Sequence, residues 1–146
     1  MKTLKFLPSQ HDCNQCTWRK PSFFCSLPEA DLRQFSSIKI THAYPKGTML
    51  FMEGQAANGI YVICSGRIKL STYSEDGRSM IVRIADPGEV IGMSASVAGI
   101  NYEGSAEVIA DCQVNVVRSQ DFIKLLNESA PAALNAIREL SLTYHK

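Results

Sequence analysis

Five cysteines are the residues best suited to chemistry: Cys13, Cys16, Cys25, Cys64 and Cys112. Three of them crowd the first 25 residues as Cys13-x2-Cys16-x8-Cys25. An odd total fits poorly with a complete set of intramolecular disulfides. In a reducing compartment such clustering points to metal or redox chemistry rather than stapling. A C-x2-C pair on one tight loop brings two thiolates to one metal ion or to adjacent irons, and thiolates suit iron and zinc. Four readings of the three-cysteine arm stay open here: an iron–sulfur cluster, zinc, redox-active or disulfide-forming thiols, and no chemistry. His11 is a further candidate ligand, and Arg19-Lys20 would favour a thiolate at Cys16. Trp18, Phe23 and Phe24 read as the apolar shell that docks the arm.

The elements that must position these thiols follow from periodicity. Pro28 and the acidic Glu29 and Asp31 open a short helix in which Leu32, Phe35 and Ile38 share a face. From Ile38 to Val117 the period becomes two. Strands are expected at 48–51, 59–64, 67–73, 80–84 and 114–117, with glycine-rich turns between them, including one at Ser65-Gly66. His42 lies ahead of the first of these strands. All nine glycines fall between 47 and 104. Short strands with regular glycine turns, and no helix long enough for βαβ units, predict a mainly β sandwich or barrel. Ser119–Asn127 reads as a helix with Phe122, Leu125 and Leu126 on one face. A second helix follows, with Pro131 in its first turn. Ala133, Ile137, Leu140 and Tyr144 are spaced there like the seam of a coiled coil. That helix either packs on its own barrel or joins a second copy. It runs to Lys146 without a terminating glycine, which reads as a truncation.

Composition narrows the class. The 146 residues suit one domain, and 45% hydrophobic with 20% charged residues suits a folded one. Fifteen basic residues against 14 acidic give a net +1, so this chain carries no phosphate-binding excess of its own. The apolar runs fall far short of the roughly 18 residues that span a bilayer, and the N-terminus lacks a secretory signal, so a cytoplasmic location is expected. Three scattered histidines assemble neither a Ser-His-Asp set nor the two or more His plus Glu of a metal-dependent cupin. No Gly-Lys-Ser/Thr phosphate loop occurs either, so the chain is not read as an enzyme.

Three strings carry a family resemblance: Tyr44-Pro-Lys-Gly-Thr-Met-Leu-Phe-Met-Glu-Gly54, Ile60-Tyr-Val-Ile-x-x-Gly66-Arg-Ile-Lys-Leu, and Asp86-Pro-Gly-Glu-Val-Ile-Gly92. The stretch from Ala106 through Cys112 and Val114 to Phe122 fits as well. Together they resemble the effector domain of the Crp/Fnr family of bacterial transcription regulators, over residues 28–146. The resemblance implies a double-stranded β-helix (a jelly roll) of the cyclic-nucleotide-binding type. Flanking short helices and a dimerisation helix would accompany it. The implied organisation is an arm over residues 1–27, a sensor barrel over 28–128 and the start of a dimer helix over 129–146. A homodimer through 131–146 is expected, and DNA would be reached only through a helix-turn-helix outside this chain.

The resemblance also assigns sites. In cAMP-binding members an Ile-Gly pair precedes a phosphate cassette, a Glu follows to hold the ribose, and an Arg some ten residues on meets the cyclic phosphate. Here Gly92 is followed by Met93, and Tyr102 or Glu103 stands where the Arg belongs. No Arg or Lys occurs between Arg83 and Arg118. A buried phosphate needs a paired cation or a helix N-terminus, so Gly92, Met93, Tyr102 and Glu103 read as a degenerate pocket and cAMP is not expected. The Fnr branch holds a [4Fe–4S] cluster on three arm cysteines and one from the barrel. Cys13, Cys16 and Cys25 are similar to that arm, although the second gap is longer. Cys112 is the nearest fourth ligand, yet alignment puts Asn115 at the family's position, and cAMP-binding members carry a structural cysteine where Cys112 stands. Zinc or no metal remain the alternatives. Cys64 reads as a plain strand residue. The function implied is sensing of oxygen, redox state or nitrogen oxides through the cysteine arm. The alternative is a small-ligand domain with a non-cAMP pocket.

Overall fold

The computed structural model describes residues 27–73, 76 and 78–144. Cys13, Cys16 and Cys25, with His11, Trp18, Arg19, Lys20, Phe23 and Phe24, lie outside the described residues.

Helix α1 spans Glu29–Ile38 and is followed by strand β1, Ile40–Tyr44. Pro28 sits just ahead of α1, where its missing N–H leaves no helical hydrogen bond unmade. Strands β2 (Met49–Phe51), β3 (Gly59–Tyr73), β4 (Ser79–Ala85) and β5 (Val90–Ile91) come next. Helix α2 (Met93–Ala98) leads to strand β6 (Ser105–Arg118), helix α3 (Ser119–Glu128) and helix α4 (Ala130–Tyr144). The paired strands run antiparallel, in the order β1-β6-β3-β4, with β2 on β6 and β5 on β3. The architecture is mainly β, as the pattern predicted, and is the jelly roll with short helices that the resemblance implied.

Two findings revise the strand expectations. Ser65-Gly66 does not end a strand: β3 runs unbroken from Gly59 to Tyr73, and the register against β6 shifts between Ser65 and Arg67. Gly66 takes φ +90°, the left-handed conformation of a bulge residue, so the strand kinks without turning back. His42 is not ahead of the sheet but inside β1, opposite Val114.

Alternation along the long strands makes two cores. Tyr61 and Ile63 of β3 join Val108, Cys112 and Val114 of β6 inside the barrel. Ile60, Val62 and Val117 point the other way, onto Leu32, Phe35, Phe122 and Leu125 of α1 and α3. Ser129 starts α4 by accepting the Ala132 N–H (3.1 Å), and its hydroxyl donates to Asp31 of α1. Ala132 and Ala136 of α4 are buried in the helix-side core, with Leu140 packed against it. The face of α4 turned away from the barrel carries Leu134, 47% exposed, and Ile137, 60% exposed. Of the expected seam, Ile137 faces out, while Leu140 packs in part on the chain's own core and Leu134 lies on the outer stripe with Ile137. No described helix is long and apolar enough to cross a membrane.

Candidate functional site

Strand β5 ends at Ile91, and the chain must then reverse into α2. Gly92 makes that reversal with φ +81°. A Cβ there would stand 3.1 Å from both the Gly59 carbonyl and a ring carbon of Tyr102, so glycine is demanded by conformation and by space. Met93 and Tyr102 are buried, whereas Glu103 is exposed. All four residues read as a degenerate pocket, Gly92, Met93, Tyr102 and Glu103, line one cavity of about 420 Å³. Leu70 and Arg83 come to the same cavity from β3 and β4, and Glu139 and Leu140 from α4. The sequence reading missed these four. They arrive from elements distant in the chain, and no local motif marks them.

Tyr102 closes one wall of the cavity. Its ring stacks on Phe51 with centroids 3.9 Å apart. Its hydroxyl donates to the Gly59 carbonyl at 2.7 Å and accepts from the Gly59 N–H at 3.2 Å. Ser96 of α2 also donates to the Gly59 carbonyl, and Ser119 donates to Ser96. Burial raises the Tyr102 phenol above its ordinary range, opposed by these hydrogen bonds, so it stays a neutral donor at physiological pH.

Charge is distributed against a phosphate. Arg83 is the one cation among the described residues that line the cavity, and its guanidinium is engaged by Glu89. Glu89 is itself anchored by the Asp86 N–H at 2.6 Å. The other charged groups lining the cavity are the carboxylates of Glu103 and Glu139. Among the described residues that line the cavity, the single cation is thus already paired with a carboxylate.

Cys112 lies on β6 with no exposed surface. Its thiol donates to the Ala110 carbonyl at 3.1 Å, with the Arg67 carbonyl at 3.5 Å, and sits under the Gly66 bulge. Burial, the leading cause, pushes this thiol up to about 11 from an ordinary 9.0. No group of three or more His, Cys, Asp or Glu able to hold a metal ion occurs among the described residues. Asn115, three positions on, is buried and accepts from the Thr41 hydroxyl at 2.6 Å, and Lys39 donates to that same hydroxyl. Cys64 is half-buried within β3.

A measurable consequence follows for Cys112. In the native protein at pH 8 it should resist iodoacetamide, and react only on unfolding, when mapped by mass spectrometry. Because the fold raises its pKa, its contribution to stability is full below about pH 9 and falls as pH rises through about 11. The stability gap between the native protein and Cys112→Ala should therefore narrow over that window in urea titrations. An unchanged gap would contradict the buried-thiol account.

Comparison with known proteins bears on this geometry. Residues 41–129 match the model of the cyclic nucleotide-binding domain. The chain is 29% identical over 135 residues to the nitrogen fixation regulation protein FixK of Bradyrhizobium diazoefficiens, covering 92% of this chain and 55% of that protein. It is 27% identical to the anaerobic regulatory protein of Bacillus subtilis, covering 82% of this chain and 51% of that protein. The chain thus spans about half the length of these curated relatives. Among solved structures, the catabolite activator protein of Thermus thermophilus shares the fold with a TM-score of 0.77 at 20% identity, over 84% of this chain and 58% of that one. The sensor domain of the regulator DNR from Pseudomonas aeruginosa matches with a TM-score of 0.71 at 20% identity, over 84% of this chain and 83% of that one. With the jelly roll, the glycine turn at Gly92 and the cavity beside α4 in place, the chain belongs to the Crp/Fnr family, whose members are transcription regulators rather than enzymes, and carries its cyclic-nucleotide-binding domain.

Proposed function

We propose that this chain is the signal-receiving part of a cytoplasmic DNA-binding regulator that answers to oxygen, redox state or nitrogen oxides, and not to cAMP. The observation that supports this most is the charge of the cavity. Arg83, its one described cation, is paired with Glu89, and the other charges are carboxylates. A cyclic phosphate placed there would lose its hydration with no countercharge in return. The signal is then better sought at Cys13, Cys16 and Cys25, which we assign to a [4Fe–4S] cluster, with zinc as the rival occupant. The relatives named as anaerobic and nitrogen-fixation regulators support a redox signal.

Cys112 does not fit as the fourth ligand in its present packing. Its thiol is enclosed, protonated and spent on carbonyl groups. We assign it a structural role, and Asn115 is held by Thr41. The working division is an arm over 1–27, the barrel over 28–128 and a dimer helix over 129–146. In this reading a change at the arm shifts the packing of α4 against a second copy, and an attached DNA-binding unit follows it.

Anaerobic purification tests the proposal. A brown protein containing iron and sulfide is expected. Cys13→Ser, Cys16→Ser and Cys25→Ser should each lose most of the iron, and Cys112→Ser should keep it. A colourless, iron-free anaerobic preparation overturns the cluster, and zinc in its place would select the rival.

A second reading is favoured by the cavity itself. Volumes of roughly 300–1,000 Å³ are typical of small-molecule sites, and this cavity of about 420 Å³ is bordered by α4. The barrel would then receive a small ligand other than cAMP.

A further inference from the structure

The cavity reads as selective in charge as well as in shape. Its walls are largely apolar: Phe51, Leu70, Val90, Met93, Tyr102 and Leu140. The hydroxyl of Tyr102 is already saturated by Gly59 and Asn58, so it has little left to offer a ligand. Ser105 likewise spends its hydroxyl oxygen on the Glu53 N–H. The Arg83–Glu89 pair is about three-quarters buried at both side chains, and separating it would leave a partly buried carboxylate without its cation. An anionic ligand would compete with Glu89 for Arg83 and approach the carboxylates of Glu103 and Glu139 as well.

We infer that the cavity takes an uncharged, largely apolar small molecule and excludes anions. Glu103 acts as the charge filter at its rim. The inference rests on the small-ligand reading of the barrel and does not depend on the cysteine arm. Glu103 is exposed, so its replacement need not disturb the core. Ser94, on α2, is also exposed and lines the cavity, so a large side chain there would fill the space from outside.

Matched aromatic probes test this on the full chain. By calorimetric titration at pH 7 and low ionic strength, 2-naphthol should bind at least about tenfold more tightly than 2-naphthoate, as expected for a carboxylate that loses hydration beside other carboxylates. Glu103→Lys should strengthen 2-naphthoate binding by about tenfold and leave 2-naphthol nearly unchanged. Ser94→Trp should weaken 2-naphthol by about tenfold or more by occupying its space, with an unchanged melting temperature showing that the fold is intact. Equal binding of both probes to the native chain overturns the charge filter while leaving a ligand cavity standing. Binding of neither probe, or 2-naphthol binding indifferent to Ser94→Trp, overturns the ligand cavity as well.

Discussion

Gly66→Ala should cost about 3 kcal/mol or more, the sum of a left-handed backbone forced on an L-residue and an overpacked contact, each in the range of about 1–3 kcal/mol. The φ of +90° supplies the first part. The second comes from the Cβ, which would lie 2.4 Å from the Asp111 carbonyl oxygen, 2.6 Å from the Cys112 sulfur and 2.8 Å from the Cys112 Cα. Two of those atoms are backbone of the central strand and cannot swing aside. Gly47 provides the control. It has a similar φ of +97° but nothing within 4 Å of its would-be Cβ. Gly47→Ala should therefore lose only the backbone part, about 1–2 kcal/mol. Urea unfolding of both variants measures the difference. Equal losses would show that β6 yields at Cys112 and that the bulge is not tightly packed. Against total stabilities of about 5–15 kcal/mol, the larger loss could leave Gly66→Ala largely unfolded at body temperature.

Ile137→Glu and Leu140→Glu, one helical turn apart, should fail in different ways. Ile137 is 60% exposed and Leu134, beside it on the same stripe, 47%. If α4 joins two copies, a charge at Ile137 should weaken the dimer by about 2 kcal/mol or more, as at a buried interface anchor, and leave the barrel folded. Sedimentation should then show a monomer with native circular dichroism. Leu140 instead packs against the core that holds Ala132 and Ala136. A carboxylate there should lower the melting temperature of the domain whatever its oligomeric state. A dimer that survives Leu134→Glu and Ile137→Glu together removes the outer face of α4 as the contact.

Much of this architecture was legible in the sequence because the physics was local. Glu29 and Asp31 at one helix start, and Phe122 with Leu125 on one face, gave α1 and α3 nearly to the residue. Where two forces compete within one segment, the pattern misled. Gly66 looks like a turn because glycine allows either a turn or a bulge, and only pairing with Ala110–Gln113 decides for the bulge. Only Val114–Val117 stood out of β6, because Glu107, Asp111 and Gln113 interrupt the apolar pattern ahead of it, although Gln113 is buried. Helix α2 has six residues and no charge, too little for a periodic signal. On α4, Leu134 and Leu140 each stand three positions from Ile137, and only contact with the barrel distinguishes the two. At the cavity, Gly92 to Glu103 were readable as a neighbourhood. Arg83 and Glu139 were not, since their meeting is a product of topology.

Strand β6 pairs with β1 and β2 on one side and β3 on the other, joining segments from nearly every part of the described chain. Few of these partners are close in sequence, so the sheet cannot be assembled piece by piece from neighbouring hairpins. Folding should be slow for a domain of this size, in the range of milliseconds to seconds expected of long-range β topologies. The amides of β3 and β6 should also exchange with deuterium only through global opening, as one block, while α4, held by one face, exchanges by local excursions. The barrel would then behave as a stiff body against which α4 has freedom to move.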